Sequence, residues 1–102
     1  MDDYYPPRKT WKNLDLCYNT REKLRTYRDE HRFKSYSEAI VHLMDTIGIP
    51  NKKVRGNPFI NSKNYYIAVW SDVHHKLIYM TEKGEYGCIN NVIETLLRNS
   101  KD

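Results

Sequence analysis

Trp11-Lys12-Asn13-Leu14-Asp15-Leu16-Cys17-Tyr18 (residues 11–18) and Asn64-Tyr65-Tyr66-Ile67-Ala68-Val69-Trp70-Ser71 (residues 64–71) stand 53 positions apart. In the first, polar and apolar residues alternate through Asn13, Leu14, Asp15 and Leu16, the pattern of a short half-buried strand. In the second, Tyr65–Trp70 is rich in aromatic and β-branched residues and reads as a strand as well. The offset continues beyond these segments. Residues 11–47 lie over residues 64–100 without a gap. Only four of the thirty-seven pairs are identical: Lys23/Lys76, Leu24/Leu77, Ile40/Ile93 and Leu43/Leu96. The apolar skeleton carries the match. Leu14/Ile67, Leu16/Val69, Leu24/Leu77, Tyr27/Met80, Phe33/Tyr86, Ala39/Val92, Ile40/Ile93, Leu43/Leu96 and Met44/Leu97 all coincide. A unit this short cannot bury its own core, so the two copies are expected to pack against each other.

Each copy reads as strand, helix, helix. Asn19 is the expected cap of a helix over roughly Thr20–Arg32, with Glu22 completing a capping box. Thr20, Leu24, Tyr27 and His31 lie on one stripe of it. A break at Arg32–Lys34 precedes a second helix opened by Ser35 and Glu38, another capping-box pattern. Ile40, Leu43, Met44 and Ile47 give its apolar face, and Gly48 and Pro50 stop it. In the second copy Ser71-Asp72 is the expected cap, and Val73, Leu77 and Met80 the buried stripe. Gly84 and Gly87 are the expected break. The last helix, about Cys88–Asn99, buries Ile89, Val92, Ile93, Leu96 and Leu97. A lone strand leaves its edges unpaired. Two copies resolve this if the strands pair antiparallel and four helices cover the inner face. The expected fold is therefore α+β, mostly helical, in one domain over 1–102: an arm at 1–10, a first repeat at 11–48, a linker at 49–63 and a second repeat at 64–99.

Net charge is +4, and its placement is more informative than its size. Lys52, Lys53, Arg55 and Lys63 fall in a stretch with no acid between residues 51 and 63. Arg8, Lys9 and Lys12 likewise have no acid between residues 4 and 14. Two uncompensated basic segments, each just before a repeat, point to a polyanion. The plainer reading of such segments is a solvated surface. No apolar run approaches the about 20 residues that cross a bilayer, and Met-Asp-Asp-Tyr-Tyr-Pro-Pro is unlike a signal peptide. An intracellular, cytoplasmic protein without a membrane partner is expected. Cys17 and Cys88 lie outside any Cys-x-x-Cys pattern, so free thiols are favoured over a bridge or a metal pair. His74-His75 lacks supporting ligands at metal-site spacing. The nine tyrosines fall largely on core or strand positions. No catalytic triad, paired-carboxylate or phosphate-loop pattern is present, which argues against an enzyme, and no cofactor is implied.

A strand followed by two helices, the second opened by Ser35-Tyr36-Ser37-Glu38-Ala39-Ile40, resembles the ribbon–helix–helix family of MetJ/Arc-type DNA-binding proteins. Its degenerate counterpart is Cys88-Ile89-Asn90-Asn91-Val92-Ile93. The spacings from Leu16 to Leu24 and from Val69 to Leu77 match as well. The resemblance covers the two aligned segments, roughly 75 of 102 residues. The chain is similar to the tandem, AvtR-like regulators of archaeal filamentous viruses. It departs from the family where His31 stands at the place of Gly84, and where Cys88 and Asn90 replace the serines.

That resemblance implies double-stranded DNA as the partner and a two-stranded ribbon inserted into the major groove. With Leu14, Leu16, Ile67 and Val69 turned inward, Trp11, Asn13, Asp15, Asn64 and Tyr66 are the candidate base contacts, with Ala68 beside them. Asp15 is an unusual residue to aim at DNA, although a carboxylate accepts from cytosine N4. Ser35 and Ser37 at a helix N-terminus are candidate phosphate contacts, together with Arg8, Lys9, Lys12, Lys52, Lys53, Arg55 and Lys63. Capping alone also accounts for the serines. The expected function is a sequence-specific transcription regulator, repressor or activator, that self-associates along DNA. Two alternatives stand beside it: a DNA-coating protein with little sequence preference, and an antitoxin-like protein-binding module.

Overall fold

Strand β1 is Trp11–Cys17 and strand β2 is Asn64–Trp70. They pair antiparallel, with Leu14 opposite Ile67 at the centre, Trp11 opposite Trp70 at one end and Cys17 opposite Asn64 at the other. This is a computed structural model, and it describes residues 10–47, 54, 56, 59 and 63–100. Helices α1 (Tyr18–Glu30) and α2 (Tyr36–Ile47) follow β1, and α3 (Ser71–Gly84) and α4 (Ile89–Asn99) follow β2. The fold is α+β, four helices with one two-stranded antiparallel sheet. The starts Trp11 and Asn64, Tyr18 and Ser71, and Tyr36 and Ile89 keep the 53-residue offset of the sequence. Gly48 and Pro50 lie outside the described residues.

Alternation sends Leu14, Leu16, Ile67 and Val69 to one face of the sheet, where the four helices cover them. Leu24, Ile40, Leu43, Leu77, Ile93 and Leu96 complete the core, all but removed from solvent. Every member of the nine apolar pairs lies in this cluster or packs against it. Helix α4 is the most enclosed element. Asn90 through Leu97 are buried without interruption, because α4 contacts β1 and all three other helices. Val54 N–H also donates to Thr95 Oγ1, and Asn91 Nδ2 donates to the Gly56 carbonyl, which brings described points of the linker onto α4. A one-faced amphipathic reading of this helix fails for that reason.

The caps differ from expectation. Asn19 and Ser71 do not cap α1 and α3. Both helices begin directly at the strand ends, with Cys17 and Trp70 in extended conformation as N-caps and no side-chain cap bond. Asp72 accepts from the neighbouring Val73 N–H instead. At α2 the expected box is half kept. Ser35 Oγ accepts from Glu38 N–H, but Glu38 Oε1 turns to Lys34 N–H.

The first helix of each half ends alike. Arg32 and Glu85, also 53 apart, both adopt left-handed backbone at φ 60° and 58°. Phe33 N–H reaches back to the Arg28 carbonyl and Tyr86 N–H to that of Thr81. This is the Schellman closure, here formed without the usual glycine. Gly84 serves a different need. Its missing side chain makes room for the Tyr86 ring, which a Cβ there would strike. The first half has His31 at that place, and its ring stacks nearly parallel on Phe33 with centroids 5.7 Å apart.

Because the strands end as helix N-caps, their last amides need acceptors from elsewhere. Each half supplies one to the other. Cys17 N–H donates to Asn90 Oδ1 at 2.9 Å, and Trp70 N–H donates to Ser37 Oγ at 2.8 Å. Ser37 and Asn90 are themselves equivalent positions, both almost fully buried. This pair of bonds joins the second helix of each half to the strand of the other.

A second polar feature has no counterpart. Glu94 of α4, 5% exposed, accepts from Thr20 Oγ1, Lys23 Nζ and Arg98 Nε at 2.9, 2.6 and 2.8 Å. The equivalent residues in the opposite contact are Val73 and Val41, which are apolar. Burial pushes the Glu94 carboxyl up, but the hydrogen bonds from Lys23, Arg98 and Thr20 and the Lys23 charge bring it below the ordinary 4.5.

Two outcomes follow for stability. Asn90→Ala strands a buried amide, at a cost of about 1–3 kcal/mol in denaturant unfolding, and Ser37→Ala a part-buried one at the lower end of that range; a loss near zero for both would rule out the crossed bonds. Glu94 titrates lower in the folded state than unfolded. Its contribution is therefore full above the unfolded value and disappears as pH falls below 4.5 through the folded one. Glu94→Gln flattens that acid limb in thermal melts, and lowers stability at neutral pH by only roughly 1 kcal/mol because Lys23 and Arg98 are largely in solvent.

Candidate nucleic-acid interface

The same alternation that buries Leu14, Leu16, Ile67 and Val69 turns Trp11, Asn13, Asp15, Asn64, Tyr66 and Ala68 outward, and all six are exposed. Cross-strand neighbours on this face are Trp11 with Trp70, Asn13 with Ala68, and Asp15 with Tyr66. The five candidate base contacts are thus brought onto one surface of the ribbon. Trp11 at 53% and Tyr66 at 65% are open to solvent, whereas Trp70 is half-buried.

The basic candidates divide. Lys12 and Lys63 are exposed at the two strand starts, at opposite ends of the ribbon. Lys12 also acts on His74 of α3. Burial, then the charges of Lys12 and His75, holds the His74 imidazole below the ordinary 6.5. Near Lys12 the ribbon end is closed on α3, where Ser71 N–H donates to the Thr10 carbonyl and the two hydroxyls bond each other. Arg8, Lys9, Lys52, Lys53 and Arg55 lie outside the described residues.

The two serines part company as well. Ser35 is half-buried at the start of α2, and its oxygen already caps Glu38 N–H, leaving its O–H to donate. Ser37 is corrected as a candidate phosphate contact. It is wholly buried and its oxygen holds Trp70 N–H, so a phosphate cannot reach it. The spacing on α2 that puts Ser35 at the cap puts Ser37 half a turn further, on the core side. At the start of α4, Cys88 is the N-cap without a side-chain cap bond.

Residues beyond the sequence-derived set also border this face. A shallow groove beside the ribbon is lined by Asn13, Asp15, Phe59, His74, Cys88 and Asn90. Phe59 and His74 carry no local signal for that position, because the linker and α3 meet β1 only in the folded chain. Asn90 had a signal, its alignment with Ser37. Among the described residues, no group of three His, Cys, Asp or Glu side chains comes together as a metal set. Cys17 is buried and Cys88 half-buried, both free thiols. Among the described residues, no helix is long and apolar enough to cross a membrane.

No protein-family model, curated protein or solved structure matches this chain.

Proposed function

We propose that this chain is a tandem ribbon–helix–helix protein that binds double-stranded DNA at preferred sequences and regulates transcription. The observation that carries the reading is the ribbon's outer face. An antiparallel pair of strands, its inner face covered by helices, presents Trp11, Asn13, Asp15, Asn64 and Tyr66 to solvent. The major groove is about 12 Å wide and admits such a ribbon, and its base edges differ in donors, acceptors and methyl groups.

In this reading Asn13 and Tyr66 are the principal hydrogen-bonding base readers. Lys12, Lys63 and Ser35 serve the phosphates, with Arg8, Lys9, Lys52, Lys53 and Arg55 adding charge from the arm and linker. The N-termini of α2 and α4 offer backbone N–H groups to the flanking phosphates. Because β1 and β2 come from one chain, a single copy supplies a whole ribbon. Self-association then places ribbons about one DNA turn apart. A coating protein with little sequence preference is the second reading, favoured by the presence of Asp15 and Ala68 on the outer face.

The decisive experiment is retention of duplexes from a random pool, with sequencing at two salt concentrations. A recovered motif is expected. Salt-sensitive retention without a motif favours the coating role, and no retention at low salt overturns DNA binding altogether. With the motif in hand, Asn13→Ala is expected to weaken preferred-site binding roughly tenfold more than random-site binding. Lys53→Ala weakens both alike and lowers the salt slope by about one. Equal losses from both changes remove Asn13 from base reading.

A further inference from the structure

The register of the ribbon fixes how its two halves are related. Leu14 and Ile67 are directly opposite, and they are also equivalent positions 53 residues apart. The local twofold axis of the ribbon therefore passes between them. Equivalent positions on the outer face then fall diagonally across this axis. Asp15 is related to Ala68, Asn13 to Tyr66, and Trp11 to Asn64. On the inner face, the pairs Leu14/Ile67 and Leu16/Val69 keep apolar chemistry on both sides of the axis. On the outer face not one pair keeps its chemistry. A carboxylate stands against a methyl group, an amide against a phenol, and an indole against an amide.

Asp15 is the sharpest of these differences. It is exposed, and among the described residues it has no ion-pair partner. An unpaired carboxylate facing DNA is repelled by phosphates and by the acceptor edges of guanine and thymine. It is accommodated where a base offers a donor. Cytosine N4 offers one without an adjacent acceptor, whereas adenine N6 stands beside the acceptor N7. The related position, Ala68, has no polar atom and fits only a thymine methyl.

We infer that the chain reads a non-palindromic duplex, with Asp15 selecting a cytosine on one side of the axis that has no counterpart on the other. The inference rests on the duplex-reading function proposed above and specifies its target. Symmetric dimers of one repeat must present the same groups twice and so favour palindromes. A single chain holding two different strands has no such obligation. The outer face of the ribbon, the surface that would meet DNA, differs at every one of these related positions, while the apolar pairs on its inner face stay matched. Asp15 is a specificity-determining residue here through what it rejects as much as through what it accepts.

The test uses the full chain and selection from a random duplex pool, repeated with two variants. Both Asp15→Asn and Ala68→Asp lie on the exposed face, and thermal melts check that each still folds. The native chain is expected to recover an asymmetric motif. Asp15→Asn is expected to shift one position from cytosine toward adenine, whose N6 and N7 fit an amide, with roughly a tenfold change in relative affinity. Ala68→Asp restores a carboxylate to the related position and is expected to bring in a second, symmetry-related cytosine. A palindromic motif from the native chain, or a motif that Asp15→Asn leaves unchanged, overturns this inference while leaving sequence-specific binding intact. Retention without any motif, or no retention, overturns the sequence-reading function and the inference together.

Discussion

Neither half of this chain can satisfy its own strand. A single strand has unpaired edges, and here each strand also runs straight into a helix, so its final amide lacks an acceptor within its own half. Both deficits are met by the other half. Pairing β1 with β2 satisfies the inner edges. Asn90 and Ser37 then take the amides of Cys17 and Trp70. These two bonds, the first buried and the second partly so, hold the start of each second helix against the far end of the opposite strand. Removing Asn90 would leave a buried donor without its acceptor, a larger penalty than the bond's own net contribution. The rest of the arrangement is organised around that exchange. Helices α1 and α3 start without side-chain caps, the second helices cross to the other strand, and the core closes between them.

Around this matched frame the chain distributes its differences unevenly. The core is nearly symmetric in chemistry, since Leu24/Leu77, Ile40/Ile93 and Leu43/Leu96 are identical and the other pairs remain apolar or aromatic. The contact of α1 with α4 is polar, built on Thr20 and Glu94, whereas Val73 and Val41 stand at the corresponding places in the other half. The outer face of the ribbon differs at every related position. Duplicated units that must pack on each other are constrained inside by volume and burial, but no such constraint acts on residues facing solvent or a ligand. Divergence of the outer face is therefore the freedom that a covalently joined pair has and a symmetric dimer lacks.

Much of this was legible in the residues. Alternation in 11–17 and the β-branched and aromatic run at 65–70 marked both strands, because a half-buried strand must alternate and a ribbon strand needs side chains that pack on a pleated surface. The 53-residue offset and the apolar stripes located all four helices and nearly the whole core. The outward set Trp11, Asn13, Asp15, Asn64 and Tyr66 followed from the same alternation. The Ser35 cap of α2 was legible, but the caps of α1 and α3 were not. Asn19, Ser71 and Asp72 have the right chemistry for N-caps, yet the helices begin one or two residues earlier, because the strand ends find acceptors across the fold. The glycine expected to make the turn at Gly84 instead makes room for Tyr86, and the left-handed residue is Glu85.

The sequence by itself determined which residues are apolar and at what period, and hence that two strand–helix–helix units would share one core and turn the same polar residues outward. Periodicity is a local property, and burial of a periodic face is enforced by the hydrophobic effect regardless of detail. Only the tertiary structure decided the fate of individual polar groups. Ser37 looks like a surface hydroxyl and is a buried acceptor. Asn90, Asn91, Glu94 and Thr95 look like the polar side of α4 and are enclosed. Whether a polar atom faces water, a ligand or a distant amide depends on what the rest of the chain brings to it, and that is not written in its neighbours.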